Sequence, residues 1–173
     1  IKPDYPQALV DKGCILLQIN KHEDSIKCFD QATKIDRDIH DAWYFKGLAL
    51  DEISKYEEAI PCFDQAIRIK PTDHNSLLKK GNALYILDKT KEAIDAYDQA
   101  TRVKPKFSDA WYNKGCGLKI LQKYEEAISC FDQAIRIKPE DNNFWRQKGD
   151  ALVKLGRFDE ARECFDTSLN LRV

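Results

Sequence analysis

Residues 40–73 read HDAWYFKGLALDEISKYEEAIPCFDQAIRIKPTD, and residues 108–141 read SDAWYNKGCGLKILQKYEEAISCFDQAIRIKPED. Between them, 55–71 and 123–139 differ only at Pro61 against Ser129. Working outward, the same sentence recurs along the whole chain. Gly13, Gly47, Gly81, Gly115 and Gly149 are each 34 residues apart, and each follows a lysine. Twelve residues after each glycine stands Ser25, Ala59, Ala93, Ala127 or Ala161, and four residues later an aromatic, Phe29, Phe63, Tyr97, Phe131 or Phe165. A fixed period of this length means stacked supersecondary units, each burying its apolar face against the next. The second of these units also pairs with the fourth, and the first with the third through a shared Asp-Gln-Ala-Thr, so a two-unit block looks duplicated.

Within a unit there are two helical patterns. Ala42, Trp43, Ala49, Leu50 and Ile53 recur at spacings of three and four, one face of a first helix. Tyr56, Ala59, Ile60, Phe63, Ala66, Ile67 and Ile69 mark a second, and the short turn near Ser54-Lys55 makes it return antiparallel. Pro71, Pro105 and Pro139 stop the second helices, because proline disfavours a helical residue before it. Arg37 occupies that place in the first unit and predicts a softer stop. Pro61 lies inside its helix and predicts a mild kink that Ser129 lacks. Each mid-helix glycine predicts a close approach by a neighbouring helix.

These residues resemble the tetratricopeptide repeat: Trp43, Lys46-Gly47, Leu50, Ala59, Phe63, Pro71 in the second unit, and Trp111, Lys114-Gly115, Leu118, Ala127, Phe131, Pro139 in the fourth. The third gives Leu77, Gly81, Leu84, Ala93, Tyr97, Pro105. The chain departs from the family pattern with Lys for Leu before every glycine and Leu for the Tyr. The resemblance implies an all-α, right-handed superhelical solenoid of five helix–turn–helix units, with first helices lining a concave groove. The expected organisation is a single array over 1–173, with repeats at about 6–39, 40–73, 74–107, 108–141 and 142–173. Residues 1–5 read as the remnant of a preceding repeat, since Ile1-Lys2-Pro3 copies Ile69-Lys70-Pro71 and the chain lacks Met.

Composition narrows the functional classes. With 28 basic and 29 acidic residues the net charge is -1, which gives nucleic acid no basic patch to attract. No apolar run approaches the length needed to span a bilayer. Six cysteines in 173 residues are not a disulfide scaffold. Cys28, Cys62, Cys130 and Cys164 precede the recurring aromatic and read as small apolar filler, and free thiols suit the cytoplasm. His22, His40 and His74 sit at turns or helix starts, without metal-ligand spacing, and no Gly-rich phosphate loop occurs. No enzyme, cofactor or metal site is expected.

A lysine on the packing face of every first helix requires an anion. Asp30, Asp64, Asp98, Asp132 and Asp166 recur with it, and Lys46 and Asp64 lie at similar heights on antiparallel helices. The expectation is a repeated Lys–Asp pair stitching helices within or between repeats; the rival is a ladder of lysines that binds anions. The opposite face of the first helices varies from repeat to repeat while the second helices are copied. It holds Tyr44 and Leu48, then Leu78, Lys79, Asn82 and Tyr85, then Tyr112, Asn113 and Cys116, with Val10, Phe45 and Ile120 in the wider lining. Rings that bury area beside amides that bridge a backbone suit a peptide or protein segment. A dicarboxylate clamp of the kind some family members use is not expected: its best register, Leu78/Asn82, Asn113 and Asn143/Gln147, lacks every cation. In the last repeat Arg162 replaces the isoleucine and Ser168 the alanine of the others, a wetter outer face. The alternatives are self-assembly through uncapped repeat ends, or a recognition arm of a larger enzyme.

Overall fold

The structure is a computed structural model that describes residues 5–171. The described residues form ten α-helices: α1 (Pro6–Gln18), α2 (His22–Ile35), α3 (His40–Glu52), α4 (Tyr56–Ile69), α5 (His74–Ile86), α6 (Thr90–Val103), α7 (Ser108–Ile120), α8 (Tyr124–Ile137), α9 (Asn142–Lys154) and α10 (Phe158–Asn170). The odd-numbered helices start 34 residues apart. By their contacts they divide into two compact units, Ile1–Asp88 and Lys89–Val173, cut in the turn between α5 and α6. The remnant expected over residues 1–5 lies, except for Tyr5, outside the described residues.

In α1, α3, α7 and α9 the recurring glycine admits the aromatic of the helix that follows. A Cβ on Gly47 would sit 2.6 Å from Phe63 Cε1, and one on Gly115 equally close to Phe131 Cε1. Phe29, Phe63 and Phe131 are fully buried there. The turn back is set by one residue in the left-handed region: Asn20, Ser54 and Gln122 at φ near 60°, and Gly156 at 75°. The Lys55 N–H reaches back to Leu50 O at 2.9 Å and the Ser54 N–H to Asp51 O at 2.9 Å, the paired bonds that close a helix C-terminus.

Two expectations need revision. α2 stops at Ile35 as abruptly as the proline-terminated helices. Asp36 does the work there: its carboxylate accepts the Asp38 N–H at 2.9 Å and turns the chain locally. Ser168 is buried inside its own repeat and donates to Asn142 O at 2.9 Å, so it is no part of an outer face. Arg162 is exposed. α4 runs unbroken through exposed Pro61, with the same length as α8.

Successive repeats are joined by the recurring lysines. Lys46 pairs with Asp30 at 2.6 Å, Lys80 with Asp64 at 2.6 Å, Lys114 with Asp98 at 2.5 Å and Lys148 with Asp132 at 2.7 Å. Each first helix thus reaches the second helix of the preceding repeat, and Lys46 does not meet Asp64 of its own. Height along antiparallel helices was the wrong criterion, because the lysine faces outward from its own repeat. Its stem lies along apolar surface: Nζ of Lys46, Lys114 and Lys148 stands 5.5, 5.4 and 5.9 Å from the rings of Trp43, Trp111 and Trp145. Those indole N–H groups donate to Arg37 O, Pro105 O and Pro139 O, each at 2.9 Å, fastening the connecting loop. No lysine ladder is left free at these four junctions to bind anions.

Candidate functional site

Within each unit the first helices lie side by side. α3 lies against α1 and α5, and α7 against α9, whereas the backbones of α2 and α4, of α6 and α8, and of α8 and α10 stand farther apart. Helices in mutual contact on one side and separated on the other give a surface that curves toward the first helices. On α4 and α8 the apolar residues are meanwhile consumed in packing: Ala59, Cys62, Phe63 and Ala66 on α4, and Ala127, Ile128, Cys130, Phe131, Ala134 and Ile135 on α8, are buried.

In the N-terminal unit, Tyr44 and Leu48 of α3 and Leu78, Lys79, Asn82 and Tyr85 of α5 are all half-buried. Tyr44 is wedged into the wall: its ring centroid lies 5.3 Å from that of Phe45 and 6.3 Å from that of Phe63. Leu48 packs against the same cluster as Phe63. Lys79 reaches Asp51 on α3 at 3.5 Å. Burial pushes the Asp51 carboxyl up from its ordinary value, and Lys79 only partly offsets it. Asn82 and Tyr85 also have partners. Of the wider lining, Val10 is core and Phe45 stacks on Phe29, so neither faces a groove.

In the C-terminal unit, Tyr112, Asn113 and Cys116 of α7 are half-buried. Tyr112 sits between Phe131 and Phe144, with centroids 6.1 and 5.0 Å away, and is hydrogen-bonded to Cys116. Burial raises both the phenol and the thiol above their ordinary values, so neither ionises at neutral pH. Asn113 has a partner of its own. Lys119 joins α7 to α9 through Gln147 Oε1 and lies 3.6 Å from Asp150. Beside it is a cavity of ≈350 Å3 lined by Lys119, Ile120, Tyr124, Asp150, Val153 and Lys154. Ile120 is 51% and Val153 39% exposed, apolar groups with nothing over them. Of these lining residues only Ile120 and Asp150 fall on the varying face drawn from the helical wheel. Val153 lies in the apolar run Ala151-Leu152-Val153 and carries no separate signal in the sequence.

A further cluster ties α3 to α5 at their N-termini. His40 Nδ1 is 2.8 Å from Asp41 Oδ1 and Nε2 is 3.0 Å from Asp73 Oδ2. Asp73 caps α5, accepting the Asn75 and Ser76 N–H groups at 3.2 Å and the Ser76 hydroxyl. Burial alone would raise its carboxyl, but the bonds from Ser76, His40 and Asn75 outweigh it and hold it below the ordinary carboxylate range. The ring of Tyr44 stacks on His40 at 6.1 Å. This is an inter-repeat clip; Ser76 is bonded to the aspartate and not to the imidazole, so no nucleophile–base pair forms. Among the described residues no group of three His, Cys, Asp or Glu could hold a metal ion, and no helix is long and apolar enough to cross a membrane. The six cysteines are unpaired.

Stacked helix–turn–helix repeats of fixed length define the class of the molecule, and sequence comparison gives the family. Residues 40–73 and 108–141 match one tetratricopeptide repeat model, 6–39 and 143–172 match two others, and 81–115 matches a further TPR repeat model. The chain belongs to the tetratricopeptide repeat family, whose arrays are protein-interaction scaffolds. No curated protein sequence matches it. Among solved structures it is similar to MamA, with 22% identity, a TM-score of 0.91, and coverage of 96% of this chain and 91% of that one. It is also similar to MamA 41-end from Desulfovibrio magneticus RS-1 (19% identity, TM-score 0.90, covering 99% and 97%). YrrB, described as a TPR protein with an unusual peptide-binding site, is 20% identical with a TM-score of 0.84, covering 94% of this chain and 84% of YrrB. At these identities the likeness is one of fold.

Proposed function

We propose that the chain is a scaffold that takes a peptide or protein segment along the faces of its first helices. What carries this reading is the unequal use of side chains. On α4 and α8 the apolar residues are spent on packing, while Ile120 of α7 and Val153 of α9 remain exposed at a cavity on the first-helix face. Tyr44 and Tyr112 serve as floor, held by their phenylalanine neighbours, and Leu78, Asn82 and Tyr85 form the rim. The Asp51–Lys79 and Lys119–Asp150 pairs give the face local polarity without net charge, which suits a mixed segment more than a carboxylate terminus. YrrB, alike in fold, is a peptide binder by description, which agrees with this reading. Six free cysteines fit work in a reducing compartment, the cytoplasm.

The test uses peptides selected from a random display library against the intact protein. Leu78→Ala with Tyr85→Ala, and separately Ile120→Asp with Val153→Asp, should weaken binding at least about tenfold for one set or the other, since buried anchors dominate such interfaces. Thermal melts should stay near the parent's. If both sets bind as the parent does and Gln65→Ala with Arg68→Ala on the opposite face loses binding, the proposal is wrong.

A further inference from the structure

Two departures from the repeat pattern fall on one cavity and leave no mark on the helices that carry them. Arg37 stands where the later repeats have Pro71, Pro105 and Pro139, yet α2 stops as their helices do. Pro61 stands where the later repeats have Asp95, Ser129 and Glu163, yet α4 runs unbroken. Both residues line a cavity of ≈760 Å3 where α2, α3 and α4 meet, together with Trp43 and Gln65. Its charged lining is Lys34, Arg37, Lys46 and Arg68 against Asp30 alone. Asp30 is already engaged by Lys46 at 2.6 Å. Arg68 is held in place: Nε donates to Gln65 Oε1 and Nη2 to Asp38 Oδ1, each at 3.0 Å, and the rest of its guanidinium fork is unused. The Arg37 side chain makes no ion pair among the described residues, while its carbonyl is fixed by the Trp43 indole N–H at 2.9 Å.

We propose that this cavity binds an organic phosphate monoester, with the phosphate between Arg37 and Arg68 and a flat apolar body beside Trp43 and Pro61. The lining sets the chemistry. A guanidinium presents paired donors that match phosphate oxygens, and two of them suit a dianion better than a single carboxylate. Asp38, which holds Arg68, directly follows Arg37 in the chain, so both guanidinium groups serve one edge of the cavity. Lys34 adds attraction at longer range. A volume of ≈760 Å3 is that of a small-molecule site and far exceeds a bare anion. The apolar part of the ligand meets the indole, steadied by its N–H bond and by Lys46 Nζ at 5.5 Å from the ring, and the exposed proline. Proline at 61 also keeps away the carboxylate that Asp95 or Glu163 brings to the same position in other repeats. A free mononucleotide and a phosphotyrosine side chain both offer this chemistry. The cavity is remote from the first-helix face, so the inference does not rest on the peptide-binding reading.

Isothermal titration of the intact protein with phenyl phosphate at low ionic strength tests it. Binding should saturate at a single site, exceed that of inorganic phosphate at least about fivefold, and weaken as salt rises. Arg37→Pro should reduce it at least about tenfold, since a charge-assisted contact is lost. That variant installs the residue of the later repeats, where Pro105 O and Pro139 O accept the same indole bond, and a melting curve confirms that it folds. Pro61→Glu should weaken binding several-fold by repulsion. Arg136→Ala, at the counterpart of Arg68 in the C-terminal unit, should leave it unchanged. N-acetylphosphotyrosine amide and a nucleoside monophosphate are titrated in parallel, and the tighter of the two identifies the source of the phosphate. Absence of saturable phenyl phosphate binding, inorganic phosphate binding as tightly as all three esters, or Arg37→Pro binding like the parent would each overturn the proposal.

Discussion

The second repeat and the fourth are near copies in their second helices and differ chiefly in their first. Their second helices, α4 and α8, differ at one position and bury the same phenylalanine against the same glycine at the same distance. Their first helices, α3 and α7, carry Tyr44 and Tyr112 into the same wedge. Two turns further on the contacts differ. Asp51 of α3 accepts from Lys79 of α5, and at the same position Lys119 of α7 donates to Gln147 of α9. The contact between neighbouring first helices is kept and its polarity is reversed. A scaffold needs the rung, and any charge arrangement that closes it will serve.

The largest effect should fall on the shared part. Phe63→Ala and Phe131→Ala should each cost about 3–5 kcal/mol by chemical denaturation, and by the same amount within error. A gap of more than about 1 kcal/mol between them would break the equivalence of the two backs. The next test concerns their single difference. Pro61 withholds a backbone donor that Ser129 supplies, so Ser129→Pro should destabilise by up to about 3 kcal/mol and Pro61→Ser should stabilise by a smaller amount. Equal melts for Pro61→Ser and the parent would mean that α4 has adapted fully to its proline.

A third comparison sets the His40–Asp73 clip of the N-terminal unit against the C-terminal unit, where Asp141 accepts the Asn143 N–H of α9 at 3.1 Å and the Lys138 ammonium. Asp73 is held ionised below its ordinary range, so its contribution is complete above the unfolded carboxylate value and is lost as pH falls through the lower folded value. Asp73→Asn should cost about 1–2 kcal/mol near neutrality and flatten the acid limb of the stability profile. An unchanged acid limb would remove the clip. The smallest effect belongs to the inter-repeat ion pairs. Asp30→Asn should cost less than about 1 kcal/mol, since the pair is half-exposed. Asp98→Asn should cost more, because Asp98 also accepts from Arg102 at 2.7 Å. The reverse order would mean that the pairs are ornamental.

The period, the two helices of a repeat and the glycine–aromatic approach were legible in the sequence because each is written five times. The lysine's need for an aspartate was legible too, but not which aspartate. That choice depends on how one repeat lies on the next, and periodicity within a repeat carries no information about it. The left-handed turn at Ser54 and Gln122 left no signal, since neither is glycine; the helix-closing bonds of Lys55 and Lys123 impose it. The varying face is drawn from the sequence as a stripe, and a stripe carries no depth. A helical wheel gives direction, whereas Tyr44 and Tyr112 are turned inward by rings on neighbouring helices, and Val10 is covered by packing between repeats. The exposed Ile120 and Val153 lie at the margin of that stripe, where helical periodicity separates lining from solvent least well.

The measurement closest to the central claim is amide hydrogen exchange of the intact protein with and without a saturating library-selected peptide. The account predicts added protection in the first helices, α3 and α5 or α7 and α9, with α4 and α8 unchanged. Protection confined to the second helices, with the first helices unaltered, would contradict it.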